Sequence, residues 1–234
     1  MKIAALVMLV ACGQPGQPSE PDPDSGTVGA SCSAVPADES GDGTYYAADG
    51  TGNCSFDASP NDLLVAAMNQ PDYAHAVWCG ACVNVTGPKG SVTVRIVDQC
   101  PGCARGALDL STQAFDMIAD HAAGRVPITW HEVACTVEGP IGYYFKAGDT
   151  QFYAAIQLRN TRYPIAKLEV LHDGAYLTLM RADYNFFISP IGGLGVGPFS
   201  FRVTDQRDHV VEDTGIALGS DVTRSGAGQF DACP

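Results

Sequence analysis

The chain has 234 residues, 26 of them acidic against 13 Lys and Arg, and a net charge of −13. Phosphate neutralisation needs a basic surface, so this balance argues against nucleic acid as a partner. Its 26 glycines and 15 prolines, with few helical patterns, favour β structure rich in turns, and no apolar run reaches the roughly 18–20 residues of a membrane-spanning helix.

The chain opens "MKIAALVMLVAC", one Lys and a short apolar run ending in a small residue before Cys12. This reads as an export signal over residues 1–11. "LVAC" resembles the lipobox of bacterial lipoprotein signals, in which the cysteine is acylated and becomes the first residue. The alternative is a plain secretory signal with an incidental Cys12. The expectation is an exported protein, extracellular or lipid-anchored at a bacterial surface, with Cys12 its one membrane attachment. Residues 12–40 are dominated by Pro, Gly and acid with little to bury, and read as a disordered linker. Setting Cys12 aside leaves eight of nine cysteines. An even set in an exported chain reads as disulfides.

Folded sequence is expected in two domains, 41–139 and 140–234. In the first, "SPNDLLVAAMN" (59–69) predicts a short helix, with Ser59 as cap and Pro60 in the first turn. "GSVTVRIVD" (90–98) alternates as a strand, and Asp98 ends it in phase with Val92, Val94 and Ile96. "STQAFDMIADHA" (111–122) carries a helical stripe, and "VPITWHEVAC" (126–135) reads as a strand. Trp78 and Trp130 are assigned to the core. After Gly139-Pro140 come alternating runs, "QFYAAIQLRN", "AKLEVLHD", "AYLTLMRAD", "FSFRVTD" and "HVVEDTGIAL", the pattern of an antiparallel sandwich.

Two aspartates flank a CxxC in "VDQCPGCARGALDLS". A half-buried Asp98 could donate a proton to a glycosidic oxygen, or could instead cap a turn. Asp109 faces a groove if Leu108 and Leu110 point inward, or else binds nearby backbone N–H groups. "CGAC" (79–82) and "CPGC" (100–103) have zinc-ribbon spacing. Export and the even cysteine count weigh toward disulfides, and a thioredoxin-like role lacks its βαβ frame.

The run "VTGPKGSVTVRIVDQCPGCARGALDLSTQAFDMIA" resembles the barrel domain of expansins, above all bacterial and fungal expansin-like proteins. "FKAGDTQFYAAIQLRNTRYPIAKLEV" and "MRADYNFF" resemble the expansin carbohydrate-binding sandwich. The resemblance runs from about Gly41 to the C-terminus. It implies a mainly β protein: a six-stranded double-psi β-barrel followed by an immunoglobulin-like β-sandwich. It implies binding to cellulose or a related wall β-glucan and loosening of it without cutting chains. A monomer with no cofactor is expected. Asp109 takes the place of the family's essential aspartate. Asp98 and Thr44 match polar groove residues, and Cys100 stands where relatives often carry an aromatic. Inverting hydrolysis needs a second carboxylate roughly 6.5–9.5 Å from the acid. Related endoglucanases take it from the first barrel strand, where this chain has Thr44 and Tyr46, with Asp42 and Asp49 nearby.

By the same resemblance Phe152, Tyr153 and Tyr184 form an aromatic platform, and Lys146 is a basic contact beside it. Strict strand alternation would instead send Phe152 and Tyr153 to opposite faces. The pairing implied for the cysteines is Cys54–Cys79, Cys82–Cys135, Cys100–Cys103 and Cys32–Cys233. Two other readings stay open. One is a glycan-cleaving enzyme with Asp109 as acid, either an endoglucanase or a lytic transglycosylase, since rare lipoprotein A shares the barrel. The other is a surface adhesin with an inert groove.

Overall fold

A computed structural model describes Cys32 and residues 37–233. The expected signal (1–11), Cys12 and most of the linker lie outside the described residues. Strands β1 (Glu39–Tyr46), β2 (Val65–Asn69), β3 (Cys82–Gly87), β4 (Gly90–Cys100), β5 (Leu108–Ser111) and β6 (Val126–Val133) close a barrel in the order β1-β5-β2-β4-β3-β6. β1 and β5 run parallel, as do β2 and β4, and the other neighbours are antiparallel. Val83, Val94, Ile96, Leu108, Leu110 and Trp130 fill the interior. Trp130 also donates from Nε1 to the Gly106 carbonyl at 2.8 Å, whereas Trp78 is only partly buried against the same core.

The helix expected over 59–69 is not there. Ser59 and Asp62 close a turn instead, and Val65–Asn69 is a central strand flanked by β4 and β5. All five of its residues are buried. An apolar run buried on both faces carries no periodicity to separate strand from helix. The short helix α1 (Gln70–Tyr73) follows, capped by Asn69, whose Oδ1 accepts from the Asp72 N–H at 3.0 Å. Helix α2 (Thr112–Ile118) is shorter than its stripe suggested. Ser111 Oγ caps it at Ala114, and a 3₁₀ turn over His121–Ala123 takes the remainder.

In the second half, β7 (Gly142–Phe145), β8 (Ala155–Arg159), β9 (Ile165–His172), β10 (Ala175–Thr178), β11 (Met180–Arg181), β12 (Phe187–Ile188), β13 (Phe199–Asp205), β14 (Val210–Ile216) and β15 (Val222–Ser225) form two sheets. Their orders are β10-β9-β13-β14 and β11-β12-β8-β7-β15. The sheets share one core, in which Tyr143 stacks on Phe201 at 5.0 Å and Phe145 on Phe199 at 6.1 Å. Tyr143 donates to the buried Asp213 at 2.8 Å, so the phenol is satisfied inside that core.

Candidate functional site

The barrel register sets one row of side chains across four adjacent strands. Thr44 on β1 pairs with Asp109 on β5, Asp109 with Ala67 on β2, and Ala67 with Asp98 on β4. Asp98 reaches this row through a register slip. Ala66 pairs with Ile96 but Ala67 pairs with Asp98, so Val97 is skipped and is buried next to Ile96. Neighbouring strands are about 4.8 Å apart, which sets the Asp109 and Asp98 backbones about 10 Å apart with only an alanine methyl between them.

Asp109 is half-buried, and its Oδ1 accepts from Thr44 Oγ1 at 2.6 Å. Asp98 is held differently. Its Oδ1 accepts from two backbone N–H groups, Asn53 at 2.6 Å and Gln99 at 2.8 Å. This is the turn-capping alternative, and it ties down the loop after β1. Gly52 makes the fit possible, since a Cβ there would fall 2.4 Å from the Asp98 side chain. Tyr46, two residues beyond Thr44, has a buried hydroxyl with no hydrogen-bond partner among the described residues. Burial first, and then the charges of Asp98, Asp109 and Asp49, hold that phenol above its ordinary pKa, so it stays protonated.

The other two acids near β1 are engaged. Asp49 is exposed and accepts from the Thr51 hydroxyl at 2.6 Å and its N–H at 2.9 Å. Those bonds hold its pKa below the usual value. Asp42 pairs with Arg125 at 2.9 Å.

The aromatic residues come from two loops of the second half. Phe152 and Tyr153 precede β8, in a tight turn closed by reciprocal backbone bonds between Thr150 and Tyr153. Outside a strand, alternation does not apply, and the rings are 69% and 47% exposed. Tyr184, 37% exposed, lies in the turn between β11 and β12. Lys146 Nζ stands 5.0 Å from the Tyr184 ring centroid and 5.2 Å from that of Phe186. Beneath the turn, Asp149 is buried. Its Oδ1 accepts from the Ala155 N–H at 3.0 Å, Oδ2 has no hydrogen-bond partner among the described residues, and burial raises its pKa from 3.8 to about 6.

Sequence reasoning missed Asn53, which joins the two regions. Its N–H holds Asp98, and its Nδ2 donates at 2.9 Å to the carbonyl of Asp183, the residue before Tyr184. Tyr73 donates to the same carbonyl at 3.0 Å, and His75 pairs with the Asp183 carboxylate at 2.8 Å. Arg181 donates to Ala76, and Gln157 to Cys54 and Ser55. No local pattern marks Asn53; it matters only once two distant loops meet.

The bridges join Cys54–Cys79, Cys82–Cys135, Cys100–Cys103 and Cys32–Cys233. They use all four thiols of the two CxxC motifs, so those cysteines do not take a zinc-ribbon arrangement. Cys54–Cys79 braces the loop that carries Asn53, and Cys100–Cys103 closes the turn after Asp98.

The two parallel pairs in a closed six-stranded barrel make this a double-psi β-barrel, here joined to a second β domain. Residues 65–130 match the protein family described as lytic transglycolase. The chain is 39% identical over 163 residues to Expansin-YoaJ of Bacillus subtilis (strain 168), covering 68% of this chain and 69% of that protein. It is 31% identical over 174 residues to Expansin-like protein 1 of Dictyostelium discoideum, covering 68% and 60%. The crystal structure of the apo expansin of Clavibacter michiganensis matches with a TM-score of 0.78 and 32% identity, over 85% of this chain and 100% of that one. A mutant of that expansin in complex with cellohexaose matches equally well. The chain belongs to the expansin family.

Proposed function

We propose that this protein binds cellulose or a closely related β-glucan along the row Thr44–Asp109–Asp98 and the rings Phe152, Tyr153 and Tyr184, and loosens it without hydrolysis. The observation that carries the reading is the state of the carboxylates. Of the four acids Asp42, Asp49, Asp98 and Asp109, Asp109 is the one whose carboxylate has neither a backbone nor an ionic partner among the described residues; its bond is to the Thr44 hydroxyl. Asp98 holds two backbone N–H groups through one oxygen, Asp49 is held by Thr51, and Asp42 is paired with Arg125. Inverting cleavage needs a second carboxylate to activate water, and Asp42 and Asp49, the acids nearest Thr44 and Tyr46 along the chain, are both engaged. Asp109, with the protonated Tyr46 close by, can grip sugar hydroxyls and bear on a strand. The aromatic rings supply flat apolar faces, and Asn53 couples the two surfaces so that a strain set in one is felt in the other. The cellohexaose complex of a related expansin supports a glucan as ligand. We further propose export by the 1–11 signal, with Cys12 as lipid anchor, and action as a monomer.

A second reading rests on the match of residues 65–130 to the lytic transglycolase family. There Asp109 would serve as acid and then base on peptidoglycan. One paired assay separates the two. The purified chain and its Asp109→Asn variant are incubated with filter paper and with peptidoglycan, recording mechanical weakening and soluble sugar release. The expected result is Asp109-dependent paper weakening with no released sugar, and retained cellulose binding by the variant. Asp109-dependent release of reducing ends or anhydro-muropeptides would overturn it, and weakening that survives in Asp109→Asn would leave the groove inert.

A further inference from the structure

We propose that the chain carries a second ligand site, in a cavity at the domain junction, for a sugar bearing a single carboxylate. A cavity of about 360 Å³ lies there, lined by Phe56, Thr93 and Arg95 of the barrel and by Leu158, Arg159 and Thr161 of the sandwich. This is within the range of small-molecule sites. None of the residues of the proposed glucan surface lines it.

Two guanidinium groups face the cavity with unmet donors. Among the described residues Arg95 Nε is buried without a hydrogen-bond partner and Arg95 forms no ion pair. Its guanidinium is set over the Phe56 ring at 5.3 Å. Arg159 gives Nε to Gln157 at 2.7 Å and Nη1 to Asp57 at 2.7 Å, which leaves Nη2 buried and unpartnered. A buried donor without a partner bears its full desolvation penalty. Arg159 is thus already paired with an acid, whereas Arg95 has none among the described residues although acids outnumber bases two to one, and so Arg95 is the group suited to an external anion. A carboxylate matches the fork geometry of guanidinium.

The rest of the wall selects the kind of anion. Asp62 also lines the cavity and disfavours a doubly charged phosphate. Phe56 and Leu158 offer apolar surface, and Thr93 and Thr161 offer hydroxyls, the mixture that a pyranose ring presents in reverse. The ligand is therefore a uronate, either a free hexuronate or a uronic acid side branch on a wall polysaccharide. Bound there it touches both domains, and it does not depend on what the groove holds.

The test is titration of the full chain, followed by backbone amide NMR at Thr93–Arg95 and Arg159–Thr161. The ligands are D-glucuronate, a glucuronoxylan oligosaccharide, D-glucose and inorganic phosphate. Saturable shifts are expected with glucuronate at a Kd of about 1 mM or tighter, none with glucose, and weaker binding of phosphate. Tighter oligosaccharide binding would identify the polymer as the source, and equal or absent oligosaccharide binding the free sugar. Arg95→Gln should weaken glucuronate at least tenfold while cellulose pelleting stays unchanged, and Arg159→Gln should do the same if Arg95→Gln misfolds. Absence of saturation, glucose binding as well as glucuronate, phosphate binding as tightly as glucuronate, or indifference to both substitutions would overturn the proposal.

Discussion

Replacing Phe152 and Tyr153 together by alanine removes two rings that are 69% and 47% exposed. An aromatic side chain carries roughly 150–250 Å² of surface, so the pair exposes on the order of 230 Å². A flat glucan strand would cover one face of each ring, about half of that area. At about 25 cal/mol per Å², the loss is about 3 kcal/mol, or about 100-fold in affinity. The fold should hardly notice. Both residues sit in a turn held by backbone bonds between Thr150 and Tyr153, and neither belongs to the core. Exposed substitutions usually stay within about 0.5 kcal/mol, which at this chain length moves the thermal midpoint by about 1–2 °C. The measurement is a cellulose pelleting isotherm beside a thermal melt of the same sample. Affinity within about threefold of wild type would refute the platform, and a midpoint lowered by about 10 °C would show that the rings hold structure instead.

Two further outcomes follow from the bridges and from Asp149. In the chain-entropy account, the Cys54–Cys79 bridge, with a separation of 25 residues, should contribute about 3.5 kcal/mol, and Cys100–Cys103, with a separation of 3, about 2 kcal/mol. Denaturant unfolding of Cys54→Ser/Cys79→Ser and Cys100→Ser/Cys103→Ser should rank them in that order, and the reverse order would sink the view that the short clip mainly shapes the groove turn. Asp149 binds its proton more tightly folded than unfolded, with a pKa of about 6 against 3.8. Its stabilising protonation is complete below about pH 4 and lost as pH rises through 6, so the gap between wild type and Asp149→Asn should change in that window and level off above it. A pH-independent gap would mean that the buried carboxylate does not titrate there.

Much of this protein was legible as local chemistry. The alternation of Val92, Val94 and Ile96 marks a strand whichever partners it finds, because side chains on a pleat must alternate. The apolar stripe through Ala114, Phe115 and Ile118 marks a helix, because residues three and four apart share one face. The ordered motifs around Asp109, and the family they resemble, were written in contiguous residues. Failure came where burial erased the pattern. Val65–Asn69 is covered on both faces, so its residues look the same as strand or helix, and only the neighbours β4 and β5 decide.

The tertiary structure decided where the acids and rings stand, because their placement depends on partners far away in sequence. Thr44 and Asp109 meet across 65 residues, and Asn53 and Asp183 across 130. The slip at Val97 that lines Asp98 up with Asp109 is a property of strand pairing, invisible in β4 alone. Likewise, the turn that exposes both Phe152 and Tyr153 overrides the alternation their sequence suggests. Composition and spacing settle which side chains are present and which backbone each stretch prefers; the closing of the barrel and the docking of the second domain settle which of them share a surface.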